Sequence, residues 1–101
     1  MFKYVREKAT KGDPQSVLNA IDNYCWKKGN WMANTGDRKG KVLDNAVSWK
    51  KPMKALELGS YCGYSSIRIA RLLPKGAKLY SLEVNKKWSD IAKELAELAG
   101  L

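Results

Sequence analysis

The sequence predicts an α/β fold in which three helices precede one βαβ unit and a final helix. Three observations carry this prediction. Apolar residues recur at helical spacing in the first half, at Val17, Leu18, Ala20, Ile21, Tyr24 and Cys25, and again at Val42, Leu43, Ala46 and Val47. After Lys51-Pro52 the pattern changes to short apolar runs at residues 55–58 and 77–83, the first ending at Gly59. Helical spacing returns between and after these runs. Two strands joined through a helix pair in parallel, with a right-handed crossover.

Taken in order, residues 1–9 form a short helix with Phe2, Val5 and Ala9 on one side. Gly12-Asp13-Pro14 breaks the chain; Asp13 caps the next helix, and Pro14 fits a first turn where no donor is needed. This second helix ends by Gly29. Asn34-Thr35-Gly36-Asp37 is loop-like, and residues 37–49 form a third helix that Lys51-Pro52 stops. Residues 55–58 read as a buried strand. Residues 63–73 form a helix ended by Pro74-Lys75-Gly76, and residues 77–83 alternate as a second strand. Residues 88–99 form the last helix, with Trp88, Ile91, Ala92, Leu95 and Leu98 inward and Gly100 as its stop. Residues 1–50 are thus a helical region, and 51–101 the first βαβα part of an incomplete single domain.

The 101 residues suffice for one core, and 45% hydrophobic with 29% charged residues fits a globular chain. No apolar run approaches the roughly 20 residues of a membrane span. The first residues lack the apolar core of a signal peptide, so a cytoplasmic location is expected. Histidine is absent, which excludes a Ser-His-Asp triad or a His-based zinc site within this chain. Cys25 and Cys62 lack CxxC spacing and read as thiols of a reducing compartment. Nineteen Lys and Arg against ten Asp and Glu give +9. These bases are scattered, as at Lys27-Lys28, Arg38-Lys39-Lys41, Lys50-Lys51-Lys54 and Lys86-Lys87. No block of five or six like charges occurs, so they read as a solvated surface and no nucleic-acid partner is expected.

The informative stretch is Leu56-Glu57-Leu58-Gly59-Ser60-Tyr61-Cys62-Gly63-Tyr64-Ser65. A strand runs into a turn with glycines four apart, and the turn opens a helix. Gly59 lets the chain turn and a ligand approach the backbone. The first amides of the helix point into the same crevice. Glu83 lies twenty residues past Gly63, at the end of the second strand, where a carboxylate can accept both ribose hydroxyls of an adenosine ligand. The structural alternative is that Gly59 and Gly63 ease strand-to-helix packing and Glu83 is a surface acid. For Tyr61 and Tyr64 the alternative is a place in the core.

Residues 57–65 closely resemble the S-adenosylmethionine loop of the catechol O-methyltransferase family. The likeness extends to Gly12-Asp13-Pro14-Gln15-Ser16-Val17-Leu18, Gly36-Asp37, Lys39-Gly40-Lys41, Asp44 and Ala70-Arg71-Leu72-Leu73. It implies part of a Rossmann-like class I methyltransferase fold, with S-adenosylmethionine and Mg²⁺ as cofactors and a catechol as small-molecule substrate. By this resemblance Gly59, Ser60, Tyr61, Tyr64 and Ser65 line the methionine and sulfonium side, Glu83 holds the ribose, and Val84 and Asn85 flank the adenine. Trp31 matches an aromatic gate on the substrate side. Ala33 falls where the family has a methionine near the methyl group, with Met32 one position off. Thr35 replaces a valine that acts through its backbone. The family's metal ligands and catalytic lysine are expected beyond Leu101, so no residue here takes a metal or catalytic role; Asp37, Asp44 and Asp90 are not candidates. This chain, by the resemblance, is the cofactor-binding half of the enzyme and inactive alone. The alternative is a non-catalytic S-adenosylmethionine-binding or interaction fragment. An open sheet edge at residues 55–58 predicts self-association.

Overall fold

The computed structural model describes residues 1–27 and 35–101. The elements are α1 (Phe2–Lys8), α2 (Pro14–Lys27), α3 (Gly36–Lys50), β1 (Lys54–Leu58), α4 (Tyr64–Ala70), β2 (Lys78–Leu82) and α5 (Lys86–Leu98). Their order and types follow the spacing of the apolar residues. The punctuation acts as its chemistry predicts. The Asp13 carboxylate accepts the Ser16 N–H at 3.2 Å, capping α2. Lys51 takes a left-handed conformation at φ +48°, and its N–H closes α3 on the Val47 carbonyl at 2.9 Å. Helix α4 is shorter than predicted. Leu72 and Leu73 donate to the Ile69 and Ala70 carbonyls at 3.0 and 3.3 Å, a tightened turn that leads into Pro74.

Strands β1 and β2 are parallel, with Lys54 opposite Lys78, Leu56 opposite Tyr80 and Glu57 opposite Ser81. The buried centre is not on this sheet. It forms where α1, α2, α4 and α5 meet, around Val5, Leu18, Ile21, Tyr64, Ile67 and Leu95. Cys25 and Cys62 belong to it as buried thiols, and burial pushes the Cys62 thiol up to about 11.

One expectation is corrected. Residues 55–58 are not a fully buried strand. Ala55 and Glu57 face the helices and are half-buried, whereas Leu56 and Leu58 are 66% and 77% exposed. A parallel strand is buried on both faces only when both are covered, and here α4 packs against one face. Helix α3 does not use Val42 as an inward residue, since that side chain is exposed. Gly40, Asp44 and Val47, spaced four and three apart, form its inner stripe, and polar contacts hold it. The Asp44 carboxylate takes Arg68 Nε and Nη2 at 3.0 and 2.9 Å, and both Arg71 terminal nitrogens at 3.0 and 2.8 Å. Gly40 makes room for this pairing: a Cβ built there would lie 2.3 Å from Arg68 Nε.

Candidate functional site

The turn between β1 and α4 hangs over the C-terminal ends of both strands. The Gly59 N–H donates to the Leu82 carbonyl at 2.7 Å, and the Gly63 N–H closes the turn on Ser60 at 2.8 Å. Gly59 has φ +91°, and a Cβ built on it meets nothing within 4 Å. It is therefore required for backbone conformation and faces open space. Gly63 differs. At φ +90°, its built Cβ would lie 2.9 Å from Ala92 Cα, so this glycine lets α4 begin against α5. The packing explanation thus fits Gly63, while Gly59 borders the open crevice.

Tyr61 sits between them at φ +48°, a conformation that a side chain with a Cβ rarely adopts. It is held from two sides. Its N–H donates to Glu83 Oε1 at 2.8 Å, and its ring packs on Trp88 at a centroid distance of 4.3 Å. Glu83 Oε2 accepts the Asn85 N–H at 3.1 Å. These two backbone N–H groups, Asn85 foremost, hold the Glu83 carboxyl below the usual carboxylate range. The carboxylate bridges the loops after β1 and after β2. With two lone pairs on each oxygen, the carboxylate keeps acceptor capacity for a ligand hydroxyl.

Behind the turn lies a polar cluster. Glu57 accepts hydrogen bonds from the hydroxyls of Ser65 and Ser66 on α4, and from Ser81 on β2 at 2.6 Å. Ser60, which is buried, bonds to Ser81. The cluster ties both strands to the first turn of α4 and fixes where the glycine turn sits. Ser66 and Ser81 carry no motif. Their only sequence signal is a polar residue at the inward position of each strand, Glu57 and Ser81, which are register partners. A groove of about 500 Å³ opens beside this cluster between α4, β2 and α5, lined by Ile67, Ala70, Leu79 and Ala92. It shares Ser60 with the turn and does not include Glu83.

Of the predicted site residues, the structure brings Gly59, Ser60, Tyr61 and Glu83 to one place, with Ser65 behind them through Glu57. Tyr64 is not a crevice side chain. Its ring is buried, and its hydroxyl donates to Asp22 Oδ2 and accepts from Arg68 Nη1, both at 2.9 Å. Burial, then the Asp22 charge, pushes that hydroxyl far above the phenolic range. Burial likewise raises Asp22. Val84 is fully exposed beyond β2. The Asn85 side chain caps α5, accepting the Trp88 N–H at 3.2 Å, a role the sequence reading missed. Thr35 precedes α3 with helical dihedrals and makes no capping bond. Trp31, Met32 and Ala33 lie outside the described residues. Asp90 is exposed and pairs with Lys86 at 2.9 Å.

The crevice thus offers an oriented carboxylate, a pinned aromatic ring and open backbone above two parallel strand ends. In open α/β sheets this is where ligands bind. The family model for O-methyltransferases matches residues 8–101. Catechol O-methyltransferase B of Danio rerio is 52% identical over 101 residues, all of this chain and 38% of that protein. Catechol O-methyltransferase of Mus musculus is 46% identical, with the same two shares. A solved O-methyltransferase from Bacillus cereus, in complex with SAH, aligns with a TM-score of 0.69 at 29% identity, covering 87% of this chain and 39% of that one. The chain therefore spans 38% of the length of these two curated relatives.

Proposed function

Because the chain belongs to the O-methyltransferase family and carries part of its Rossmann-like fold, we propose that it supplies the S-adenosylmethionine-binding part of an enzyme that methylates one hydroxyl of a catechol. The observation that carries this reading is the Glu83 carboxylate. Two loop amides hold it in place, with lone pairs left over, opposite a glycine turn that leaves the backbone open. A ribose diol is the matching donor pair. No phosphate needs to be cradled at such a turn, which fits a nucleoside bearing an amino-acid chain.

The residues fit this cofactor. Glu83 takes the ribose hydroxyls, and Val84 and Asn85 border the adenine. Gly59, Ser60 and Tyr61 line the methionine side, with Ser65 held by Glu57 at its end; Tyr64 supports the helix from within. Thr35 leads into α3, and the family resemblance assigns Ala33 and Trp31, which lie outside the described residues, to the cofactor and substrate sides. When bound, the cofactor supplies an electrophilic methyl on a sulfonium. The Tyr61 ring, packed on Trp88, would border that group. For Mg²⁺ the residues do not fit: among the described residues, no three His, Cys, Asp or Glu side chains come together to hold an ion. Nor, among the described residues, is any helix long and apolar enough to cross a membrane.

Titration of the chain with S-adenosylmethionine tests the reading. Binding is expected, weakened by Glu83→Gln and unchanged by Asp90→Asn. Binding that is absent, or equally affected by both substitutions, would overturn it.

A further inference from the structure

The opposite end of the sheet carries a feature that cofactor binding does not use. The Met53 carbonyl accepts the Lys78 N–H at 3.0 Å, so the segment joining α3 to β1 and the turn before β2 meet at the strands' N-terminal ends. Five lysines lie on these two segments or on the element residues that flank them: Lys50, Lys51, Lys54, Lys75 and Lys78, all exposed. Lys54 and Lys78 stand directly opposite each other in the ladder. Like charges placed so are destabilising unless an anion neutralises them. Among the described residues the ion pairs are Arg68–Asp44, Arg71–Asp44 and Lys86–Asp90, and none of the five lysines takes part. Two large apolar side chains from the end of α3 and the segment after it are exposed. Trp49 is 84% exposed and Met53 56%.

We propose that this end of the protein is a docking surface for an anionic phospholipid bilayer. Lysines in this number beside a membrane are drawn to its negative surface. Trp49 and Met53 among them have the chemistry of residues that enter the headgroup layer, the indole seated at the interface with lysine stems around it. Here the lysines share two adjoining stretches of chain with two exposed apolar side chains. A nucleic-acid site instead has a basic groove with aromatic platforms along it. The glycine turn and Glu83 lie at the other end of the strands, so docking leaves the crevice open to solvent.

The test is co-sedimentation of the full chain with vesicles of phosphatidylcholine, with and without phosphatidylserine, together with tryptophan emission. Binding is expected only to the anionic vesicles, with a blue shift that Trp49→Phe removes. The Lys54→Gln/Lys78→Gln variant should lose roughly fivefold in partitioning per lysine. Lys87→Gln/Lys93→Gln, which removes the same charge from α5, should lose far less. Circular dichroism of each variant confirms that helix content is retained. Equal binding to neutral vesicles would point to the open sheet face and overturn the proposal. So would equal losses in the two double variants. Binding to a single-stranded oligonucleotide without binding to anionic vesicles would overturn it in favour of nucleic acid.

Discussion

Asp44→Asn should be among the most damaging single substitutions outside the apolar centre. The carboxylate is 19% exposed and joins two guanidinium groups that are 5% and 14% exposed, through four contacts of 2.8–3.0 Å. An asparagine keeps one acceptor but turns an NH₂ toward Arg68 and Arg71, leaving two buried cations without a counter-charge. Breaking a buried pair this way costs about 3–5 kcal/mol. Because the site is only partly sealed, we expect the lower end, about 3 kcal/mol. For a domain of this size each kcal/mol corresponds to roughly 4–8 °C in Tm. Asp90→Asn provides the contrast. It removes an exposed i,i+4 pair worth about 0.3–0.5 kcal/mol. Urea denaturation at neutral pH, followed by circular dichroism, compares the two. The pH dependence has a definite sign. The Arg71 hydrogen bond, then Arg68, lowers Asp44 from its ordinary 3.8. Its contribution is complete above about 3.8 and fades as pH falls through the lowered folded value, so the gap between wild type and Asp44→Asn should close only in strong acid. A loss from Asp44→Asn no greater than from Asp90→Asn would refute the reasoning.

The two glycines of the turn should separate binding from folding. Gly59→Val imposes a left-handed strain of about 1–3 kcal/mol but meets no neighbour; it should abolish S-adenosylmethionine binding while helix content survives, and normal binding would count against the crevice. Gly63→Ala adds overpacking against Ala92 to similar strain, together roughly 3 kcal/mol; thermal melting should show a loss of stability. The open sheet face of Leu56, Leu58, Tyr80 and Leu82 should make the isolated chain self-associate, and Leu58→Lys should shift sedimentation toward monomer. With Mg²⁺ and a catechol added, this chain alone should transfer no methyl group above a no-protein control, because among the described residues no set of three metal-ligating side chains comes together.

The elements were legible where punctuation is local. Gly12-Asp13-Pro14, Lys51-Pro52 and Pro74-Lys75-Gly76 act through backbone dihedrals and missing donors, which depend on few neighbours. Sidedness was less legible. Val42, Leu43, Ala46 and Val47 suggest one stripe, yet the true inner stripe runs through Gly40 and Asp44, because buried arginines on another helix decide it. In β1, five residues are too few for alternation to show through an apolar run, so the inward turn of Glu57 was hidden. That Gly59 and Glu83 meet at one end of the sheet could be read because a turn and its acid follow a fixed spacing. The Tyr64 side chain could not, since its partners Asp22 and Arg68 come from a separate helix and the next turn of its own.

The buried centre belongs to α1, α2, α4 and α5, and neither strand contributes a fully buried residue. Local opening should therefore be cheapest at the sheet, and its amides should exchange with deuterium before those of α2. The crevice hangs from the ends of these same strands. A ligand that bridges the Gly59 turn and Glu83 would bind only the closed sheet, and so would slow exchange in β1 and β2 far more than in the helices. Occupancy would then be recorded as a change in local protection, with little movement of the fold.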